Sequence, residues 1–326
     1  MTEVLAPERE PEAEQVIRSA CAKGAKLDIV GGGACSGLGR PGAAELRLSS
    51  AGLAGIVFYA PAEMTLCAKA GTTIDAIEAA IEAHGQILPF EPLRPQALWA
   101  APGKPTLGGM VATNLSGPRR LTAGAVRDNV LGLRLVNGLG QSIHCGGRVM
   151  KNVTGLDLTK LNCGAYGTLG FLTEATIKLA PRPETETTLV LPGLDDAATI
   201  EVMTRALGSP FGVSGAAWLQ PGMGDAAART LLRLEGFRES VDDRARRLAA
   251  LLAEFGEARQ VGGEESSALW RSVRDAEFVA EPRERAVWRV SLAPSQGRAF
   301  MVRLGATALA HSYDWGGGLV WVATDP

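Results

Sequence analysis

Two sets of residues in this chain could do chemistry: glycines clustered at three separate places, and a small group of side chains able to move a proton. The glycine clusters are Gly31-Gly32-Gly33, Gly108-Gly109, and the spaced set Gly164, Gly167 and Gly170. Glycine has no Cβ, so it takes positive φ easily and lets backbone approach a ligand closely. Three glycines in a row after the short run Leu27-Asp28-Ile29-Val30 can turn successive N–H groups onto one anion. A diphosphate suits such a nest. Alone, the triplet reads as a flexible surface turn. Its repetition beside strands and small-residue segments points instead to backbone lying along a long ligand.

Proton-moving groups are scarce. The chain has 3 histidines, His84, His144 and His311, and none stands at metal-ligand spacing from another. His84 falls at a helix end and His144 within a strand, both read as structural. His311, placed near a loop, is the remaining base candidate. The 5 cysteines (Cys21, Cys35, Cys67, Cys145 and Cys163) are scattered and form no CxxC pair. They read as reduced thiols rather than disulfides, zinc ligands or iron–sulfur ligands. Metal ligands are not expected.

Two nucleotide motifs are excluded. Gly37-Leu38-Gly39-Arg40-Pro41-Gly42 fits GxGxxG, but Pro41 interrupts it and no amphipathic helix follows to present its N-terminus to a pyrophosphate. The GxxxxGK[ST] phosphate loop is absent from the sequence.

The elements that must position these residues can be read from periodicity. Glu12 to Lys23 reads as a helix closed by Gly24, and the glycine-loop strand follows. Short strands are expected at 45–49, 56–59 and 65–70. Thr72 with Asp75 fits a capping box, ahead of a helix carrying Ile74, Ile77 and Ile81 at helical spacing. Leu131, Leu133 and Leu135 alternate in a strand that turns at Asn137-Gly138 and returns over 141–145. Phe171 to Leu179 alternates as another strand, and Pro181 and Pro183 close the region. The second half mixes strands at 187–191, 213–219, 230–235, 287–292 and 319–322 with helices at 197–207, 240–255, 266–273 and 296–304. Ser240 with Asp243 is the expected cap of the second of these helices. Such mixing indicates an α+β architecture.

Composition sets outer bounds. With 326 residues, 46% of them hydrophobic, two cores are expected, here residues 1–183 and 184–326. A formal charge of −2 gives no basic field for nucleic acid. The acidic start MTEVLAPEREPEAEQ is unlike a secretory signal, and no run reaches the roughly 18 apolar residues of a membrane span. A cytoplasmic protein is the expectation.

The chain resembles the FAD-binding fold of the vanillyl-alcohol-oxidase (PCMH) type, and within it the E-subunit family of bacterial glycolate oxidases. The resemblance is carried by Gly31-Gly32-Gly33, by the run from Pro105 to Arg120 (PTLGGMVATNLSGPRR), and by Gly124 to Gly132 (GAVRDNVLG). Gly147 to Asp157 (GRVMKNVTGLD) and Gly167-Thr168-Leu169-Gly170 complete it. It covers nearly the whole first half, with VWRV at 287–290 and DWGG at 314–317 as landmarks beyond.

This resemblance implies non-covalent FAD, a PCMH-type domain of two α+β subdomains, and a ferredoxin-like α+β cap. Gly31, Gly32, Gly33, Ala34, Cys35 and Ser36 would cradle the diphosphate. Thr106, Gly108, Gly109 and Asn114 would line the middle of the cofactor, with Arg127 and Asp128 nearby. Gly170 and Ile177 would border the ring system or ribityl chain, while Asn152 and Asp157 would be structural or would support the residues that touch the cofactor. Arg119 and Arg120 read either as a solvated pair or as a phosphate or partner contact. The loop has no histidine after its glycines for flavin attachment, and Cys35 reads as a spacer.

Its implied function is to bind FAD within a complex that oxidises glycolate, a small 2-hydroxy acid. A related flavin subunit and an iron–sulfur subunit would be partners, with membrane association at most peripheral. Two alternatives stay open: a self-sufficient FAD-dependent 2-hydroxyacid dehydrogenase of the D-lactate type, and a flavin-free scaffold. The resemblance supplies no catalytic residue. The sequence stops at Asp325-Pro326 without the family's Asn-Pro-Gly-type tail, so a shortened cap is expected.

Overall fold

The computed structural model describes residues 3–39, 42–99, 101–148, 155–223 and 225–326. The chain divides into two compact units, Met1–Ser116 with Gly124–Arg182, and Gly117–Ala123 with Pro183–Pro326. The short segment Gly117–Ala123 thus clusters with the residues from Pro183 onward.

In the first unit, β1 (Glu3–Leu5), β2 (Leu27–Val30) and β3 (Leu46–Ser49) form a parallel sheet in the order β1-β3-β2. The helix Glu10–Lys23 buries Ala13, Ile17 and Ala20 at helical spacing. It ends where Gly24 takes the left-handed conformation, φ 64, and the chain turns into β2.

A second layer holds β4 (Ile56–Ala60), β5 (Thr65–Lys69), β6 (Gln86–Ile87), β7 (Val130–Val136), β8 (Ser142–Gly146), β9 (Phe171–Lys178) and β10 (Ala180–Pro181). Five of these make an antiparallel sheet in the order β4-β5-β9-β7-β8, while β6 pairs with β10. The helix Ile74–Glu82 lays Ile74, Ile77 and Ile81 into a core with Leu66, Phe90, Met110 and Leu133. Each such side chain contributes about 1.5–3 kcal/mol on burial. Its cap differs from expectation. Thr73, not Thr72, accepts the Ala76 N–H, because the Thr72 hydroxyl is taken by the backbone of Gly55.

The second unit is built on β11 (Thr185–Pro192), β12 (Gly215–Leu219), β13 (Arg229–Gly236), β14 (Arg259–Gly262), β15 (Ala286–Ser291), β16 (Ala310–Asp314) and β17 (Leu319–Thr324). They form an antiparallel sheet in the order β14-β11-β13-β12-β16-β17-β15. Period-2 alternation splits its faces. Leu189, Leu191, Leu232 and Leu234 meet the helices Asp196–Leu207 and Arg238–Leu251. Arg233 points the other way, where its guanidinium lies 4.6 Å from the Trp270 ring on the helix Gly263–Arg274.

Two sequence expectations fail here. The helix starting at Arg238 has no side-chain cap, and Ser240 lies inside its first turn with its hydroxyl accepting from Arg244. His311, expected near a loop, sits in β16, paired with Val322 of β17, because the flanking Ala310 and Tyr313 are buried in the sheet.

Candidate functional site

The first unit contains a cavity of about 450 Å³, within the usual range for a bound small molecule. One wall is the chain leaving β2. Gly31 to Ser36 all line it, so the glycine loop, Ala34, Cys35 and Ser36 come together on one surface. Gly33 turns with φ 81, and two successive turns follow: Ser36 N donates to Gly33 O at 3.3 Å, and Leu38 N to Cys35 O at 3.0 Å.

Beside it the wall continues with Lys104, Pro105, Thr106, Gly108 and Gly109. A parallel bridge ties Gly33 to Lys104, and the fit between the two strands is tight. A Cβ on Gly32 would stand 2.1 Å from the Lys104 carbonyl oxygen, and one on Gly103 would stand 1.9 Å from the Gly32 carbonyl oxygen. Backbone packs on backbone, which only glycine permits.

Thr106 is the N-cap of the helix Leu107–Thr113 and accepts the Gly109 N–H at 3.3 Å. Thr106, Gly108 and Gly109 all line the cavity, as does Gly170. Gly108 and Gly170 also have packing reasons to be glycine. A Cβ on Gly108 would lie 2.7 Å from the Ala70 methyl, and one on Gly170 would lie 2.6 Å from Leu135 Cδ1.

Four expected site residues lie elsewhere, each with a structural task. Asn114 closes the same helix in a left-handed conformation, φ 53, and its Oδ1 accepts the Arg127 N–H at 2.9 Å. Asp128 accepts the Ala125 N–H at 2.8 Å at the start of the short helix Val126–Asn129, which contains Arg127. Ile177 is fully buried in the hydrophobic core on β9, paired with Leu66. Asp157 caps the helix Leu158–Asn162 by accepting the Lys160 N–H, the structural role expected of it. Asn152, with the rest of 149–154, and Arg40 with Pro41 in the GxGxxG match, lie outside the described residues.

The cavity wall is mostly backbone and small side chains, which suits a ligand held through its phosphates and apolar faces. Burial pushes the Cys35 thiol up to about 11, so it stands protonated at neutral pH. A protonated thiol is a poor nucleophile, consistent with a spacer. Sequence reasoning missed Lys104 and Tyr166, both of which line the cavity. Tyr166 is an exposed aromatic in a left-handed conformation, φ 53, which a bulky residue seldom adopts. The composition CGAYG, an aromatic set between glycines, was the available signal.

Arg119 and Arg120 are neither a solvated pair nor free for an anion in the same way. In the second unit Arg119 pairs with both carboxylate oxygens of Glu235, at 3.1 and 2.7 Å. Arg120 lies 4.4 Å from the centre of the Trp315 ring. Neither partner is close in sequence, so neither contact was legible there. Two of the histidines are likewise engaged. His84 meets the Tyr59 ring edge-on at 5.3 Å, and His311 stacks near Trp218 and Tyr313 with Nε2 3.4 Å from Asp196. Among the described residues no group of three His, Cys, Asp or Glu side chains could hold a metal ion, and no helix is long and apolar enough to cross a membrane.

Comparison with known proteins places this geometry. Residues 2–146 match the model of the FAD binding domain family. Glycolate oxidase subunit GlcE of Escherichia coli K12 is 38% identical over 271 residues, covering 82% of this chain and 67% of that subunit. Glycolate oxidase subunit GlcD of Bacillus subtilis 168 is 42% identical over 118 residues, covering 36% of this chain and only 23% of that protein. Among solved structures, 4-ethylphenol oxidase from Gulosibacter chungangensis superposes with a TM-score of 0.75 at 12% identity, covering 98% of this chain and 74% of that one. At such low identity the likeness speaks for the fold alone.

Proposed function

We infer the function of this chain from its family: it belongs to the FAD-binding flavoproteins of the glycolate oxidase E-subunit type. We propose that it is the FAD-binding subunit of a complex that oxidises glycolate to glyoxylate, working beside a related flavin subunit and an iron–sulfur subunit. The chain would be cytoplasmic, reaching a membrane only through those partners.

The observation that carries this reading is the glycine-lined cavity. The fit to FAD rests on the segments 31–33 and 103–105, joined by a bridge between Gly33 and Lys104, whose contact leaves no room for a Cβ at Gly32 or Gly103. A backbone surface of this kind suits a diphosphate, and Thr106, Gly109 and Gly170 extend the wall along the same cavity.

When bound, FAD supplies the acceptor for the two electrons that leave the carbinol carbon as the alcohol becomes a carbonyl. This chain's own residues do the holding. Gly31 to Ser36 would contact the diphosphate, and Thr106 fixes the first turn of the helix beneath it. None of the three histidines lines the cavity, so the geometry supports cofactor binding more directly than proton abstraction.

The test is affinity capture of the full chain from its source cell, followed by a glycolate assay with an artificial electron acceptor. Co-recovery of a homologous flavoprotein and an iron–sulfur protein, with glycolate-dependent dye reduction only in the assembled fraction, supports the reading. Rapid flavin reduction by glycolate or D-lactate in the isolated chain would instead identify a self-sufficient dehydrogenase.

A further inference from the structure

The glycine cradle brings dipoles to the cavity but no formal charge, and a diphosphate brings about two negative charges. Among the described residues, the charged ones lining the cavity are Asp28, Arg47 and Lys104. Asp28 and Arg47 satisfy each other, since Arg47 Nε and Nη2 both lie 2.8 Å from Asp28 Oδ2. Lys104 makes no ion pair with any described residue. Lys104 is exposed to solvent.

Its position is fixed by the loop itself. The Lys104 backbone is bridged to Gly33, and its carbonyl oxygen fills the space a Gly32 side chain would need. The backbone that carries this lysine is therefore held beside the glycine loop. We propose that Lys104 is a positioning residue for the cofactor, supplying the positive charge that balances the FAD diphosphate. The proposal rests on the placement of that diphosphate at the glycine loop argued above.

A charge acting on phosphate oxygens has signatures that a packing role lacks. It discriminates ligands by their phosphates, tolerates arginine, and weakens as salt screens it. The experiment titrates deflavinated full-length protein with FAD, ADP and riboflavin at several NaCl concentrations. The variants are Lys104→Gln, Lys104→Arg and Gly32→Ala, each checked for folding by circular dichroism.

Lys104→Gln is expected to weaken FAD and ADP by about tenfold at low salt and to flatten their salt dependence. Riboflavin, with no phosphate, should bind both proteins alike, and Lys104→Arg should stay within about threefold of the parent for FAD. Equal FAD affinity and equal salt dependence in Lys104→Gln and the parent would overturn the proposal, as would an equal loss in Lys104→Arg. Gly32→Ala separates the two levels of the argument. If it loses FAD while Lys104→Gln does not, only the charge role fails. If Gly32→Ala binds FAD as the parent does, the placement of the diphosphate fails with it.

Discussion

The hydroxyl oxygen of Thr106 lies 2.5 Å from where a Cβ on Gly31 would stand, and the same oxygen accepts the Gly109 N–H. One side chain thus caps a helix and fills the space that the glycine loop leaves open. Gly31→Ala must displace that hydroxyl, so it is expected to break the cap and widen the cavity wall together. Thr106→Val should cost about 1 kcal/mol as a lost cap, whereas Thr106→Ser should be nearly neutral. Thermal melts of the three variants check the order.

Gly32 and Gly33 should respond differently to the same methyl group. At Gly33 nothing lies within 4 Å of an added Cβ, and only the positive φ of 81 resists it. Gly33→Ala is therefore expected to cost on the order of 1 kcal/mol. Gly32→Ala drives a methyl into the Lys104 carbonyl and should separate the two walls of the cavity. FAD titration should show a modest loss for the first variant and more than a tenfold loss for the second, a difference of at least about 1.4 kcal/mol.

Thiol chemistry offers an independent check on how the flavin is held. Burial pushes Cys35 up to about 11 and Cys67 and Cys163 up to about 12, while Cys21 is exposed. Iodoacetamide at mildly alkaline pH should label Cys21 first and Cys35 slowly, with FAD slowing Cys35 further. Peptide mass spectrometry reads the order. Cys35→Ser should retain FAD, and acid precipitation should release all flavin from the parent protein.

The second unit should be acid-sensitive through Glu235. Burial acts to raise its pKa, but Arg233 and the Arg119 pairing outweigh it and hold the carboxyl down at about 2. A depressed folded-state value means the stabilisation is complete above about pH 4.5 and is lost as pH falls toward 2. Melting temperature should drop across that window in the parent and less steeply in Glu235→Gln. At neutral pH that variant should be less stable by about 3 kcal/mol, because two arginines are left facing a neutral group.

How much of this was legible in the sequence depended on distance along the chain. Local periodicity located the helix with Ile74, Ile77 and Ile81, the strand from Phe171 and the helix Asp196–Leu207, because each pattern is complete within a few residues. The glycine loop and the TLGG segment were legible as chemistry, since backbone approach demands glycine at those positions. Lys104 was not, because its relation to Gly33 is a contact between strands about 70 residues apart, and lysine on a loop carries no signature. Arg119 with Glu235 failed for the same reason. Asn114 and Asp128 stand in family motifs, and each also has a cap to form, while Ile177 has a core position to fill.

The central claim, that the cavity between the glycine loop and the Lys104–Gly109 wall holds FAD, is tested most directly by titrating the deflavinated protein with FAD while following flavin fluorescence. Saturable binding at one FAD per chain is expected, weakened more than tenfold by Gly32→Ala, which is a loss of more than about 1.4 kcal/mol. No saturable binding, or the same affinity in Gly32→Ala, would contradict it.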